Sequence, residues 1–223
     1  QLKCAVLTEL GAPVVRDYQY ANHWNLSRLD EAGRIFHYDD AAHPDRIAGL
    51  TEGAAPRIDL TYDVNGNLLG LPGRTLAYNA KNELGRVTAP GGVVAEYRYD
   101  HEGVRVSKTV TTGGASVTTR FIGRGLEIRD GVATHLMYLG AMRVAIVQGA
   151  TTRFVHSNYL GSTSFFTDAA GTKIAAIAYR PFGNVASSTG VVDLRTYGAH
   201  PFDEESGLFY MKRRYYAPEI GRF

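Results

Sequence analysis

The sequence predicts an all-β protein built as a strip of antiparallel hairpins, and three observations carry that prediction. The first is alternation in residues 96–110. Tyr97 and Tyr99 alternate with Glu96 and Arg98, then Val104, Val106, Lys108 and Val110 alternate with Arg105, Ser107 and Thr109. A period of two is the strand signature. The second is the turn between the two runs, Asp100-His-Glu-Gly103. Its aspartate can accept the amide two residues on, and its glycine can take the left-handed conformation that closes a hairpin. The same Asp-x-x-Gly spacing recurs at Asp30/Gly33, Asp63/Gly66 and Asp168/Gly171. A tyrosine precedes the aspartate in Tyr62-Asp63 and Tyr99-Asp100, and Tyr38-Asp39 repeats the dipeptide without the glycine. The third is composition: 14 tyrosines and 25 glycines stand against one tryptophan and 8 prolines. Tyrosine favours half-buried strands and glycine supplies turn conformations.

Taken in order, residues 1–29 carry the weakest pattern, with Val14, Val15, Tyr18 and Tyr20 as strand candidates and a degenerate repeat after Tyr20. Residues 30–39 form the first clear unit. Turn-rich segments follow at residues 43–47 and 51–56. Leu60-Thr-Tyr-Asp63-Val-Asn-Gly66-Asn contains Asn-Gly, a strong hairpin signal, and Tyr78-Asn79 repeats the unit with asparagine for aspartate. Residues 117–122, 126–128 and 143–147 are further strands, punctuated by Asp130-Gly131 and Gln148-Gly149. No stretch of twelve residues carries a capped helical stripe. The copies are unequal in length, which predicts a repeat array rather than a regular propeller.

Length and charge narrow the function. A chain of 223 residues with 44% hydrophobic and 21% charged residues can bury a sizeable core. A net charge of +2 is too small to argue for nucleic acid or an anionic membrane. Cys4 is the single cysteine, so no disulfide forms within the chain. The most apolar runs, residues 136–142 and 174–179, are far short of a membrane span. No signal peptide is visible, and Gln1 suggests a chain cut from something longer.

Candidate chemistry is thin. Asp63, Asn65 and Asn67 offer oxygens at alternate positions, but the glycine stands fourth and Arg74 occupies the twelfth position, where a calcium loop needs glutamate. The seven histidines form no His-x-x-x-His pair. His156, Ser162 and Asp168 are the residue types of a triad, yet Ser162 lies outside Gly-x-Ser-x-Gly and Asp168 already belongs to a turn. Gly123-x-Gly125 lacks the third glycine of a dinucleotide loop. Lys212-Arg-Arg-Tyr-Tyr216 is basic and aromatic. Read as one strand, it places Leu208, Tyr210 and Lys212 on one side and Phe209, Met211, Arg213 and Tyr215 on the other, with arginine stems over tyrosine rings. No cofactor and no metal are called for.

The last segment reads Asp203-Glu-Glu-Ser-Gly207-Leu208-Phe-Tyr210-Met-Lys-Arg-Arg214-Tyr215-Tyr216-Ala-Pro218-Glu-Ile-Gly221-Arg222-Phe223. It resembles the core-associated motif that closes the repeat region of Rhs (rearrangement hotspot), or YD-repeat, proteins. The upstream Tyr-Asp units agree with this, as do Tyr159-Leu-Gly-Ser-Thr163 and Tyr179-Arg-Pro-Phe-Gly183 in the order that family shows. The resemblance covers residue 30 onward and implies this division: residues 1–29 an N-terminal segment, residues 30–196 the hairpin array, and residues 197–223 the core motif.

The resemblance further implies a structural shell segment that encloses a C-terminal toxin polypeptide. The family delivers such toxins from bacterial cells by type VI secretion or within insecticidal complexes. The implied partners are the enclosed toxin, the remaining shell segments of the parent protein and components of a secretion apparatus. Two alternatives accompany it: an extracellular recognition module, as in animal teneurins, and part of an aspartate-type self-cleaving core, an enzyme only in the single-turnover sense. Ala217 stands where the family has an aspartate before Pro218, and the chain stops at Phe223, before the second Asp-Pro. Both departures weigh against self-cleavage by these residues alone, and the ending suggests a shell fragment, a truncated piece or a cleaved product. Exposed strand edges favour a strip that coils, and a strip this short is expected to make an open curved sheet or a shell end.

Overall fold

The computed structural model describes residues 4–9, 12–20, 25–29, 33–190, 193 and 196–223. Among the described residues, apart from single 3₁₀ turns at Pro90–Gly92 and Tyr197–Ala199, the regular elements are all strands. The chain divides into two compact units, Gln1–Leu76 and Ala77–Phe223.

The first unit holds a sheet whose strands pair in chain order, each antiparallel to the next. These are β1 (Cys4–Glu9), β2 (Ala12–Tyr20), β3 (Leu26–Leu29), β4 (Arg34–His37), β5 (Gly49–Glu52) and β6 (Ile58–Asp59). Its buried side chains include Leu29, Phe36, Ile47, Leu50 and Leu60. A short hairpin follows, β7 (Gly70–Leu71) with β8 (Arg74–Tyr78). The predicted Asp30/Gly33 turn lies partly outside the described residues.

In the second unit the same sequential pairing runs through eleven strands. They are β9 (Leu84–Ala89), β10 (Val93–Tyr99), β11 (Arg105–Thr112), β12 (Ala115–Ile122), β13 (Leu126–Arg129) and β14 (Val132–Leu139). Then come β15 (Met142–Gln148), β16 (Thr151–Ser157), β17 (Thr163–Thr167), β18 (Lys173–Tyr179) and β19 (Val185–Thr189). A separate three-stranded sheet closes the unit, made of β20 (Phe202–Asp203), β21 (Leu208–Met211) and β22 (Arg214–Tyr216). Leu136, Ile146, Val155, Phe166 and Ala175 form a buried apolar cluster on one face of β14 to β18.

One turn design recurs. In the turns headed by Asp63, Asn79, Asp100, Asn158 and Asp168, side-chain Oδ1 accepts the amides two and four residues on, at 2.8–3.1 Å. The backbone carbonyl of the same residue accepts the amide three residues on. That third position holds a positive φ: Gly66, Asn82, Gly103, Gly161 and Gly171 all fall between 60° and 83°. A second device joins one repeat to the one before. The hydroxyls of Tyr62 and Tyr99 each donate to a backbone carbonyl 15 residues earlier, on Ile47 and Leu84. Tyr38, Tyr179 and Tyr197 donate likewise to the carbonyls of Leu26, Thr163 and Pro181, which lie 12, 16 and 16 residues earlier, at 2.8–3.0 Å. Each tyrosine is thereby half-buried with its polar tip satisfied.

Some readings are corrected. Met211 ends β21 and Lys212 takes φ +62°, so the basic run is a tight turn between β21 and β22 rather than one continuous strand. Leu208, Phe209 and Tyr210 are all buried, because both faces of β21 are covered. In β11 the apolar phase is inverted: Arg105 is buried while Val104 and Val106 are exposed.

Gly103 takes φ +77°. Gly103→Val is expected to lower stability by about 1 kcal/mol or more, because a β-branched residue is strained there. Denaturant melts showing no loss would contradict that conformation.

Candidate functional site

The inverted phase of β11 has a local cause. Tyr99 pairs with Arg105 and Arg98 with Ser107, so Val106 is an extra residue, a β-bulge. In a regular strand, residues 105 and 108 would point to opposite faces. The bulge restores them to one face: Arg105 lies opposite Tyr99, and Lys108 opposite Tyr97. Two cations and two tyrosines thus form one patch at the end of the β10–β11 hairpin.

The C-terminal motif supplies the anions. Asp203, 1% exposed, ion-pairs with Arg105 Nη1, and its other oxygen accepts Lys108 Nζ at 2.9 Å. Lys108 also reaches Glu205, at 3.1 Å, whose carboxylate accepts the Tyr97 hydroxyl at 3.1 Å. The aspartate is fixed by its own turn: its carbonyl accepts the Gly207 amide at 2.7 Å and the Ser206 amide and hydroxyl at 3.1 Å. Around the pair stands an aromatic collar. The Arg105 guanidinium lies over Tyr210 at 4.3 Å, Phe121 at 4.9 Å and Tyr97 at 5.3 Å. The Arg105 amide donates to the Tyr210 hydroxyl at 2.8 Å, and the Tyr99 and Tyr215 hydroxyls meet at 2.7 Å.

Burial opposes the charge of Arg105, but the adjacent Asp203 carboxylate together with Tyr215 and Tyr97 outweighs it, and the guanidinium pKa is raised. Burial also pushes the Tyr97 and Tyr215 hydroxyls well above the ordinary tyrosine value, with Asp203 adding to the effect on both. These tyrosines are neutral donors and acceptors here. Arg105 Nε is buried without a hydrogen-bond partner, so the remaining donors and the rings hold the guanidinium.

The motif also grips the far end of the sheet. Tyr216 donates to the Phe182 carbonyl and the Asn184 side chain to the Pro218 carbonyl, both at 3.0 Å. Adjacent residues Tyr215 and Tyr216 therefore touch β10 and the turn after β18. In a flat sheet those strands would be separated by eight intervals, about 38 Å at about 4.8 Å each. Two neighbouring side chains fall short of that distance, so the sheet of the second unit is curled. Cross-strand pairs carry the Tyr97 face through Lys108 and Thr119, and through Phe121, Glu127 and Thr134, to the face of Leu136 and Ile146. The apolar cluster therefore lies on the concave side, with the motif.

The sequence-predicted residues fall into three groups. Asp63, Gly66, Asp100, Gly103, Asp168 and Gly171 sit in the recurrent turns, and Tyr62 and Tyr99 make the inter-repeat bonds. At the first unit Tyr38 makes such a bond, but the turn is headed by Asp40, and Asp39 bonds Arg57. The motif residues Asp203, Gly207, Leu208, Tyr210, Tyr215 and Tyr216 gather at the clasp. Arg214 lies over the Phe223 ring at 4.1 Å, and Pro218, Gly221 and Arg222 belong to a loop in which the Ala217 amide donates to the Arg222 carbonyl at 2.7 Å. His156, Ser162 and Asp168 have other partners: Thr167, the Gly198 amide and the turn amides. Arg105 and Lys108 were not foreseen. Their signal is a single arginine and lysine three apart beside a Tyr-x-Tyr strand, readable only with the bulge.

Arg105→Met is expected to destabilise the chain by about 3–5 kcal/mol, since it strands a buried carboxylate. Arg105→Met with Asp203→Leu is expected to cost clearly less than the sum of the two single changes in a denaturant double-mutant cycle. Strict additivity would mean that the pair contributes nothing.

The profile of the teneurin YD-shell family matches residues 6–223. The tRNA3(Ser)-specific nuclease WapA of Bacillus spizizenii is 31% identical over 178 residues, covering 74% of this chain and 8% of that protein. Toxin subunit YenC1 of Yersinia entomophaga is 28% identical, covering 94% of this chain and 26% of its own length. Among solved structures, the Photorhabdus luminescens Tc holotoxin pore superposes with TM-score 0.72 at 20% identity, covering 92% of this chain and 11% of that one. The TcdB2–TccC3 complex gives 0.69 at 19%, covering 93% and 12%. The chain thus spans a small part of the length of these relatives. With the profile matching nearly end to end over a sequential hairpin sheet, the chain belongs to the teneurin YD-shell family.

Proposed function

We propose that this chain is the closing end of an Rhs-type toxin shell. It walls off and helps deliver a toxin polypeptide, and it performs no turnover chemistry of its own. The single observation that carries the reading is the clasp of the C-terminal motif across the curl, from Asp203 on Arg105 to Tyr216 on Phe182. A sheet with one apolar face and no second layer needs something to cover that face. Phe166 and Ile146 on the concave side are fully buried, and the motif seated on that side supports reading it as the cover. This segment is therefore packed rather than hollow, which suits an end plug, and the enclosed space belongs to further repeats of the parent shell.

The partners in this reading are the remaining shell segments, the enclosed toxin and the secretion machinery that releases it from a bacterial cell. The relatives, a Tc holotoxin pore, the TcdB2–TccC3 complex, a toxin subunit and a nuclease, support it. Among the described residues no helix is long and apolar enough to cross a membrane.

The test is protease protection in the full-length parent protein. The polypeptide beyond the shell is expected to resist trypsin in the native protein and to become cleavable in Asp203→Ala, while the isolated polypeptide is cut at once. If that polypeptide is cut equally fast in the native parent and in isolation, enclosure is wrong.

A further inference from the structure

The turns at residues 100–104, 123–125, 140–141, 158–162 and 180–184 share one rim of the second unit's sheet, and the motif is seated at the first and last of them. Between those seats the concave face carries a row of polar groups just inside the rim. Arg143 repeats the design of Arg105. It pairs with Tyr138 across a bulge in which Val144 is the extra residue, so it shares a face with Tyr138, which packs on the buried apolar cluster. Thr163 reaches that face by a bulge of its own, opposite Ser157. Tyr179 joins them, its hydroxyl donating to the Thr163 carbonyl at 2.9 Å. Arg143, Ser162 and Thr163 are all buried.

The chain returns over this row after β19. Gly190 takes φ +68°, and a Cβ there would collide with the Ile174 carbonyl, so the turn that brings the chain against Ala175 of the cluster needs glycine. Asp193 then ion-pairs with Arg143, whose Nη2 also reaches Thr163 Oγ1 at 3.3 Å. Residues 196–200 continue as a strap along the row. The Thr196 carbonyl accepts the Thr163 amide at 2.9 Å, the Gly198 amide donates to Ser162 Oγ at 2.9 Å, and the Tyr197 hydroxyl donates to the Pro181 carbonyl at 3.0 Å.

Apolar burial contributes little to this strap. From Asp193 to His200 none of the described residues is a buried hydrophobic one, whereas the motif beyond buries Leu208, Phe209, Tyr210, Tyr216 and Ile220. Ala199 also takes φ +59°, a strained conformation for a residue with a side chain. A segment held by polar bonds, with strain in it, opens at a lower free energy than the apolar core beneath it. We infer that residues 196–200 are a gate on the concave face, latched by Arg143 on Asp193, that lifts while the clasp of Arg105 on Asp203 stays shut. Lifting gives solvent a way to the concave face between β15 and β18 without uncurling the sheet. The gate goes beyond the shell reading and rests on contacts within this chain, so either can fail without the other.

Residue-resolved hydrogen exchange on the intact chain tests it. The gate makes or breaks the bonds of the Thr163 and Gly198 amides, whereas the Arg105 amide bonds Tyr210 and the Leu136 amide bonds Gly125. In the wild type the first two are expected to exchange at least about tenfold faster than the other two, with little response to low denaturant. Asp193→Asn is expected to speed the first two by about a further tenfold and to leave the others unchanged. Four amides that exchange together in the wild type overturn the inference, and that comparison stands even where the variant fails to fold. So does an Asp193→Asn chain in which all four accelerate alike, or in which the Thr163 and Gly198 amides keep their wild-type rates.

Discussion

The buried contact between Arg105 and Asp203 decides where the C-terminal motif sits, and much else follows from that seat. A single-layer sheet can bury only one face, and it must bend around something to do so. The motif is that something. Its anchor has to be specific, because apolar packing alone would tolerate several positions for a small three-stranded sheet. A charge pair inside an aromatic collar does not slide. Displacing Asp203 by one residue would leave the Arg105 guanidinium and a carboxylate buried without each other, at several kcal/mol. The stabilisation from such a pair is modest once desolvation is counted, so its role here is positional.

The curl then depends on connections that are cheap to repeat. Each Asp or Asn turn closes a hairpin with side-chain bonds to amides that would otherwise face water or go unpaired. Each repeat tyrosine fills the groove to the previous repeat and ties its hydroxyl to a carbonyl there. These two devices make neighbouring repeats cohere locally, as in other repeat architectures, where each unit contacts chiefly its neighbours. They do not by themselves set the curvature of the whole sheet. That comes from the long-range clasp, which joins residues about a hundred positions apart in the chain, such as Arg105 and Asp203.

What the sequence made legible follows the same division between local and distant. The hairpin character was visible in the alternation around Tyr97 and Tyr99, and the turns at Asp63, Asp100 and Asp168 were visible in their glycines. Asn158-Tyr-Leu-Gly161 is the same turn, hidden by its asparagine. The acceptors of the tyrosine hydroxyls are backbone carbonyls, which any residue supplies, so no side-chain pattern announces them. Arg105 was masked by valines on either side, which pointed to the opposite face as the buried one. The bulge at Val106 reverses that phase, and a one-residue insertion leaves no mark in composition or spacing. The break at Lys212 was hidden for a related reason: a left-handed lysine stands where a glycine would have announced a turn.

The central claim is that the second unit is curled and that the clasp holds it so. The most direct measurement is a distance between two nitroxide labels on the motif-bearing rim, at His101→Cys and Val185→Cys, with Cys4→Ser removing the native thiol. A flat sheet would separate those turns by about 40 Å. The curled sheet predicts a narrow distribution well short of that in pulsed electron resonance, broadening and lengthening when Arg105→Met and Tyr216→Phe are introduced together. A wild-type distance near the flat value, or one indifferent to loss of the clasp, would contradict the account.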